Sequence, residues 1–328
     1  MPKEKKRLTT NLFKKRFKDF IEDCQGISIY FRLKNDLLRC ANIDNGALDK
    51  IKNEACSNLM ESIVGNPRFH FLRLSNTDDR NPADVMHIFD FANPDEIGTF
   101  VKINQAEEAS EQAQQVNYAP DRNAAFEDVN AIIIVLEDSQ GRKLTLYQKK
   151  TNFSVLKEHT NLCNVFYDGA TLKQLDQNIL QINNKYMCLK FSKLFMVRNV
   201  DQFEKDSGFR DIISKKAGDC ITFLDQSGLV KDVEPLKQSA KQLPFAKKLT
   251  KVLMHSGVIS AKVSNEKIID FVKSKDYLEK VKLTEDEQQF DLKLKYSQNK
   301  LLEILDEAYL KSELTGHEFY VRAKDRKK

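Results

Sequence analysis

The 328-residue sequence has no tryptophan, 11 glycines and 7 prolines. So few glycines leave little material for a phosphate-cradling loop, and neither G-x-x-x-x-G-K-[ST] nor G-x-G-x-x-G occurs. No G-x-S-x-G nucleophile elbow is present. The six cysteines, at 24, 40, 56, 163, 188 and 220, form no C-x-x-C pair, and the five histidines form no H-E-x-x-H. Zinc ribbons, thioredoxin-like centres and zincin-type sites therefore have no support, and no metal or other cofactor is expected. The longest uninterrupted apolar run has six residues, against the roughly 20 that a membrane-spanning helix needs. No apolar signal core follows the basic N-terminus, so a cytosolic protein with reduced thiols is expected.

What is present describes a folded chain: 41% hydrophobic and 31% charged residues. The stretch Val129–Glu204 reads as its centre. Ala131-Ile-Ile-Ile-Val-Leu136 is followed by a turn through Gln140-Gly141, then by the alternating Leu144-Thr-Leu-Tyr-Gln148. Tyr186–Phe191 and Leu194–Arg198 add two more runs of residues suited to a pleated, half-buried surface. The expected class is α+β: a central, mostly antiparallel sheet with flanking helices and a helical C-terminal region. Strands are also expected over 27–33, 37–41 and 68–74, and a helix from Asn45 to the Gly65-Asn-Pro67 stop.

Asn11–Cys24 has Phe13, Phe17, Phe20, Ile21 and Cys24 at helical spacing, with Lys14, Lys15 and Lys18 off that stripe. Two readings are open. Either the helix docks on the core, or Phe13, Lys14, Lys15, Phe17 and Lys18 meet a membrane surface or membrane partner. Residues 76–130 hold twelve Asp/Glu against three Lys/Arg, and Asn104–Gln115 has almost no large apolar side chain. This segment is expected to pack no core, and a boundary is placed here, giving domains 1–125 and 126–328. Farther on, a short helix from Phe209 stops at Gly218, and Leu243–Met254 is an amphipathic helix. Ser264 caps a further helix, and Thr284-x-x-Glu287 forms a capping box.

The net charge of +5 is uneven. Residues 1–18 carry eight Lys/Arg and one Glu, and residues 320–328 carry five Lys/Arg and one Asp, so the body between is mildly acidic. Nucleic acid would be met through the tails or a local groove. Two chemistries remain to be weighed. Lys247, Lys248 and Lys251 lie on a helix–turn–helix outline. Glu137 and Asp138 followed by Gln148-Lys149-Lys150 give the carboxylates and the Gln-x-Lys that a magnesium-dependent restriction-type nuclease carries on a hairpin, though Gln-x-Lys is common by chance and an acidic hairpin turn is ordinary.

From Phe126 onward the order of elements resembles the B component of Kiwa, a two-component bacterial anti-phage defence system. The strand Ala131–Leu136, the return Leu144–Lys150 and the pair around Phe191 and Phe195 carry the likeness. So do Arg198-Asn199-Val-Asp-Gln-Phe203-Glu204 and Leu301-Leu-Glu-Ile-Leu-Asp306-Glu-Ala-Tyr309 through Leu314-Thr315-Gly316. The resemblance implies a cytosolic, homodimeric, non-enzymatic protein that binds DNA without sequence preference. It also implies a small multi-span membrane partner, recruitment to the inner face of the membrane, and a block of phage replication or transcription. Candidate phosphate contacts are Lys149, Lys150, Arg198, Arg210, Lys215, Lys216, Lys247, Lys248 and Lys251. A magnesium-dependent nuclease and a purely structural adaptor are the competing expectations.

Overall fold

The computed structural model describes the chain except residues 1–9, 77–81, 92, 113–114, 120–125, 152–154, 157–164, 168, 175–178, 184, 207 and 322–328. Residues 1–8 of the basic N-terminus and nearly all of the C-terminal basic tail lie outside the described residues. Two compact units form: Met1–Leu72 with Asn81–Asp206, and Arg73–Arg80 with Ser207–Lys328.

The first unit is built on an eight-stranded sheet. Its helices are α1 (Thr10–Glu22), α2 (Asn45–Leu59), α3 (Gly98–Ser110) and α4 (Val200–Asp206). Its strands begin with β1 (Cys24–Leu33), β2 (Leu38–Cys40), β3 (His70–Arg73), β4 (Val85–Ile88), β5 (Val129–Asp138) and β6 (Lys143–Lys149). The short β7 (Val155–Leu156), β8 (Val165–Tyr167), β9 (Leu172–Gln174) and β10 (Ile179–Leu180) pair into two small ribbons outside the sheet. β11 (Cys188–Phe191) and β12 (Leu194–Val197) complete it, in the order β2-β1-β5-β6-β11-β12-β4-β3. The pairings from β2 through to β4 are antiparallel.

The two faces of this sheet explain the apolar run. Ile132, Ile134 and Leu136 share one face with Ile29, Phe31, Leu144, Leu146, Leu189 and Phe191, and all are buried. Phe17 and Phe20 of α1 close on Phe191, with ring centroids at 4.8 and 5.4 Å. Ile133, Val135, Tyr147 and Phe195 alternate with them and are buried as well. α3 covers part of that second face, with Phe100 stacked on Phe195 at 4.3 Å. A strand covered on both sides needs no polar alternation.

Two expectations are corrected here. The boundary at residue 125 falls inside the first unit, because β1 from the N-terminal stretch pairs along β5 from Cys24↔Asp138 to Leu33↔Val129. The segment Asn104–Gln115 does dock on the sheet: Ala106 is buried, and Glu107 receives Thr145 Oγ1 at 2.7 Å and the ammonium of Lys190. Polar contacts dock what apolar area alone would not. α2 starts at Asn45 as expected, with Asp44 as its cap accepting from Ala47 N at 3.0 Å.

The second unit holds α5 (Phe209–Gln226), α6 (Glu234–Ala240), α7 (Leu243–His255), α8 (Gly257–Ser260), α9 (Asn265–Lys273) and α10 (Lys295–Leu305). A hairpin of β13 (Tyr309–Lys311) and β14 (Glu318–Tyr320) follows. α5 runs through Gly218, because Ile213, Ala217, Cys220, Ile221 and Leu224 form one buried stripe that holds the helix together across it. Ser264 caps α9 as expected. Thr284 starts no helix. It closes a turn, accepting from Gln289 N at 3.1 Å, while Leu283 is bridged to the buried Phe290.

Candidate nucleic-acid interface

In the first unit the predicted contacts are built into the fold. Arg198 follows β12 and donates to the carbonyls of Val85 (2.9 Å) and Ala83 (2.7 Å), with its guanidinium 5.1 Å from the Phe69 ring centre. Lys150 donates to the carbonyl of Phe126, and Lys149, opposite Ala131 in the sheet, is half-buried. Arg198 and Lys150 are therefore clamps on their own backbone rather than side chains reaching for phosphate.

The nuclease-like constellation is not brought together. Glu137 pairs with Lys143 at one end of the β5–β6 hairpin, and Lys149 pairs with Ala131 at the other. Six residues of strand at about 3.3 Å each put roughly 20 Å between them. Asp138 has a structural job: it accepts from Gln140 N (3.0 Å) and Arg142 N (2.8 Å) and pairs with Arg142 Nε (2.5 Å), shaping the turn. Gln148 is buried and donates to the carbonyl of Asn183. Among the described residues, no three His, Cys, Asp or Glu side chains are grouped to hold a metal ion.

The N-terminal helix divides in the same way. Phe13 and Phe17 are buried in the core, so neither faces a partner. Lys14 donates to the carbonyl of Asn66, and Lys18 lies 3.6 Å from Glu22. Leu12, Lys15, Arg16 and Lys18 form the exposed side. No described helix is long and apolar enough to cross a membrane.

In the second unit, α5 exposes Arg210 and Lys215 and half-buries Lys216, but the same surface carries Asp211, Asp219 and Asp225. On α7, Lys248 donates to Asn299 Oδ1 at 2.8 Å and Lys251 pairs with Asp306 at 3.0 Å. Lys247 is half-buried. These contacts bind α7 to α10 and its end, which is not the free face that a recognition helix presents.

A different basic group assembles at the start of α10. Lys282 N donates to Ser297 Oγ (3.0 Å), and Asp291 N donates to the Lys282 carbonyl (2.9 Å). The fold-back brings the segment of Lys280 and Lys282 alongside that of Lys293 and Lys295; all four are exposed, and Lys293 lies 4.0 Å from Asp291. Tyr277 and Tyr296 are exposed next to them, Tyr296 donating to the Tyr277 carbonyl at 3.3 Å. The signal in the sequence is a repeated K-x-K, but the bridge between Leu283 and Phe290 that joins the two copies has no local pattern. The unit as a whole holds 26 Lys/Arg against 21 Asp/Glu, whereas the first unit holds 27 of each.

A family model described as "Kiwa protein KwaB-like" matches residues 126–315. "Kiwa protein KwaB" of Escherichia coli O55:H7 (strain RM12579 / EPEC) is 30% identical over 322 residues, covering 97% of this chain and 99% of that protein. The chain belongs to the KwaB-like family. Its membership supports a role as a component of anti-phage defence. No solved structure matches. The residues that carry the Kiwa likeness are structural: Asn199 Oδ1 caps α4 by accepting from Gln202 N (3.0 Å), and Phe203 is buried against Phe100 at 5.3 Å. Leu301, Leu302 and Leu305 form the buried side of α10, and Tyr309 stacks on Tyr277 at 5.3 Å.

Proposed function

We propose that this KwaB-like family member binds duplex DNA without sequence preference and acts in anti-phage defence by occupying that DNA, blocking its replication or transcription without cutting it. The observation that carries the reading is the set of four exposed lysines with two exposed tyrosines at the start of α10. Lysines neutralise phosphates and release counterions, and tyrosine rings beside them add contact area to sugar and backbone. Arg210 and Lys215 are further exposed cations of the same unit, interspersed with Asp211, Asp219 and Asp225. The protein acts as a homodimer with a small multi-span membrane protein, which holds it at the membrane. The exposed side of α1 is the surface assigned to that partner.

The test is a gel shift with unrelated duplexes of equal length at low salt, with and without Mg²⁺. Equal retardation of every duplex and no shortened product is the expected result. No retardation, with or without the membrane partner, overturns the DNA-binding reading. A Mg²⁺-dependent product overturns the non-cleaving one.

A further inference from the structure

The lysines at the start of α10 have an aromatic neighbour that phosphate binding leaves largely unused. Tyr309 of β13 stacks on Tyr277 and meets Tyr320 of β14, its cross-strand partner, with ring centres at 5.3 and 5.7 Å. Tyr277 and Tyr320 are 43% and 49% exposed, and Tyr296 of α10 is 37% exposed. An ion pair at the base of the cluster holds the rings. Tyr309 Oη donates to Glu303 at 2.6 Å, and Lys300 Nζ donates to Glu303 at 2.8 Å and to Tyr309 Oη at 3.0 Å. The same ammonium lies 5.6, 5.6 and 5.5 Å from the ring centres of Tyr296, Tyr309 and Tyr320. Lys275, paired with Glu318, ties β14 to the segment of Tyr277. The surroundings are not a plain anion sink, since Asp276 and Glu279 are exposed beside Tyr277. A blunt duplex brings phosphate and sugar to this place, whereas an unpaired base brings a π-face that an exposed ring can cover.

We propose that this tyrosine cluster is a stacking platform for the unpaired bases of single-stranded DNA. The protein then prefers a single strand, or a duplex with a single-stranded extension, to a blunt duplex. The inference rests on the DNA-binding reading above and names the form of DNA that the α10 surface takes. Lys280, Lys282, Lys293 and Lys295 draw in the backbone, and Tyr277 and Tyr320 cover bases with their exposed sides. Every base has a π-face, so stacking keeps the binding independent of sequence. Rings already fixed over Lys300 and Glu303 lose little freedom on binding, which leaves more of the stacking free energy for affinity.

Fluorescence anisotropy of the full-length chain compares a blunt duplex, the same duplex with an oligo-dT extension, an oligo-dT single strand, and a strand of equal length built of abasic units. The abasic strand keeps the phosphates and lacks the bases. The oligo-dT strand should bind at least about fivefold tighter than the abasic one, the factor for a single stacked base, and the extension should tighten the duplex similarly. The chain has no tryptophan, so its emission is that of tyrosine, and oligo-dT should quench it where the abasic strand does not. Tyr277→Phe with Tyr320→Phe keeps the preference. Tyr277→Ser with Tyr320→Ser brings oligo-dT down to the abasic level and leaves the blunt duplex unchanged. Equal affinity for oligo-dT and abasic strands, with the blunt duplex bound, overturns the platform and leaves the DNA-binding reading standing. A preference that survives in the folded serine variant also overturns it. No binding of any of these DNAs overturns both. The wild-type comparison decides the matter even where a variant fails to fold.

Discussion

Glu107 is the polar residue on which α3 meets the sheet. One of its oxygens accepts from Thr145 Oγ1 at 2.7 Å, the other pairs with Lys190, and its own carbonyl accepts from Lys143 Nζ at 2.7 Å. Both ionic side chains are largely enclosed, at 14% and 16% exposure. Glu107→Ala would strand the Lys190 ammonium between α3 and β11, and should destabilise the protein by about 3 kcal/mol, read as a lower urea midpoint at unchanged m. Glu107→Gln keeps an acceptor for Thr145 and should cost less. Glu303 makes a pH-dependent counterpart in the second unit. Burial pushes its carboxyl up, but hydrogen bonds from Lys300 (2.8 Å) and Tyr309 (2.6 Å) together outweigh that and hold it below its usual value. A depressed carboxyl stabilises above the unfolded value of ~4.3, and that contribution fades as pH falls through the lower folded value. The melting-temperature gap between wild type and Glu303→Gln should be steady near neutrality and close on acidification; a gap unchanged in acid would refute this.

Helix α5 shows what element-level patterning reveals and what it conceals. Gly218 lies in the helix interior, without a positive φ, and a Cβ there would meet no atom within 4 Å. Gly218→Ala should therefore stabilise by about 0.5–1 kcal/mol, seen as a raised thermal midpoint with unchanged helix content. The glycine reads as a stop because local propensity opposes helix there; the buried stripe from Phe209 to Leu224 overrides it. The central strands were legible for the opposite reason: β5 is buried on both faces, so its composition alone reports its place. α3 was not legible, since its docking depends on Thr145 and Lys190, far away in sequence. The Thr284 capping box misled because the same Thr-x-x-Glu spacing serves a turn when Phe290 pulls the chain back into the core. The candidate site followed this pattern: the sequence named Lys215, Lys216, Lys247, Lys248 and Lys251 in the second unit and none of the α10 group, and that Lys248 and Lys251 are consumed by Asn299 and Asp306 is a tertiary fact.

At the scale of the whole molecule, DNA affinity must be argued from the distribution of charge, since the net excess is small. A chain of +5 overall gains little from its mean field, so binding depends on where cations gather without local acids. Arg198 and Lys150 donate to backbone carbonyls, and Lys251 to a carboxylate. Replacing them would damage the fold before it tested binding. Lys280, Lys282, Lys293 and Lys295 are exposed, so their replacement by glutamate should leave the thermal midpoint nearly unchanged while weakening retention of every duplex alike. Each phosphate contact contributes about 0.9 to the slope of log K against log salt. If all four reach phosphate, converting them to glutamine should flatten that slope by about 3–4 on B-form duplex. The glutamine series separates counterion release from simple repulsion, which glutamate confounds. A slope that stays unchanged in the quadruple glutamine variant, with the fold intact, would move the interface away from α10 to the remaining exposed cations, Arg210 and Lys215 first among them.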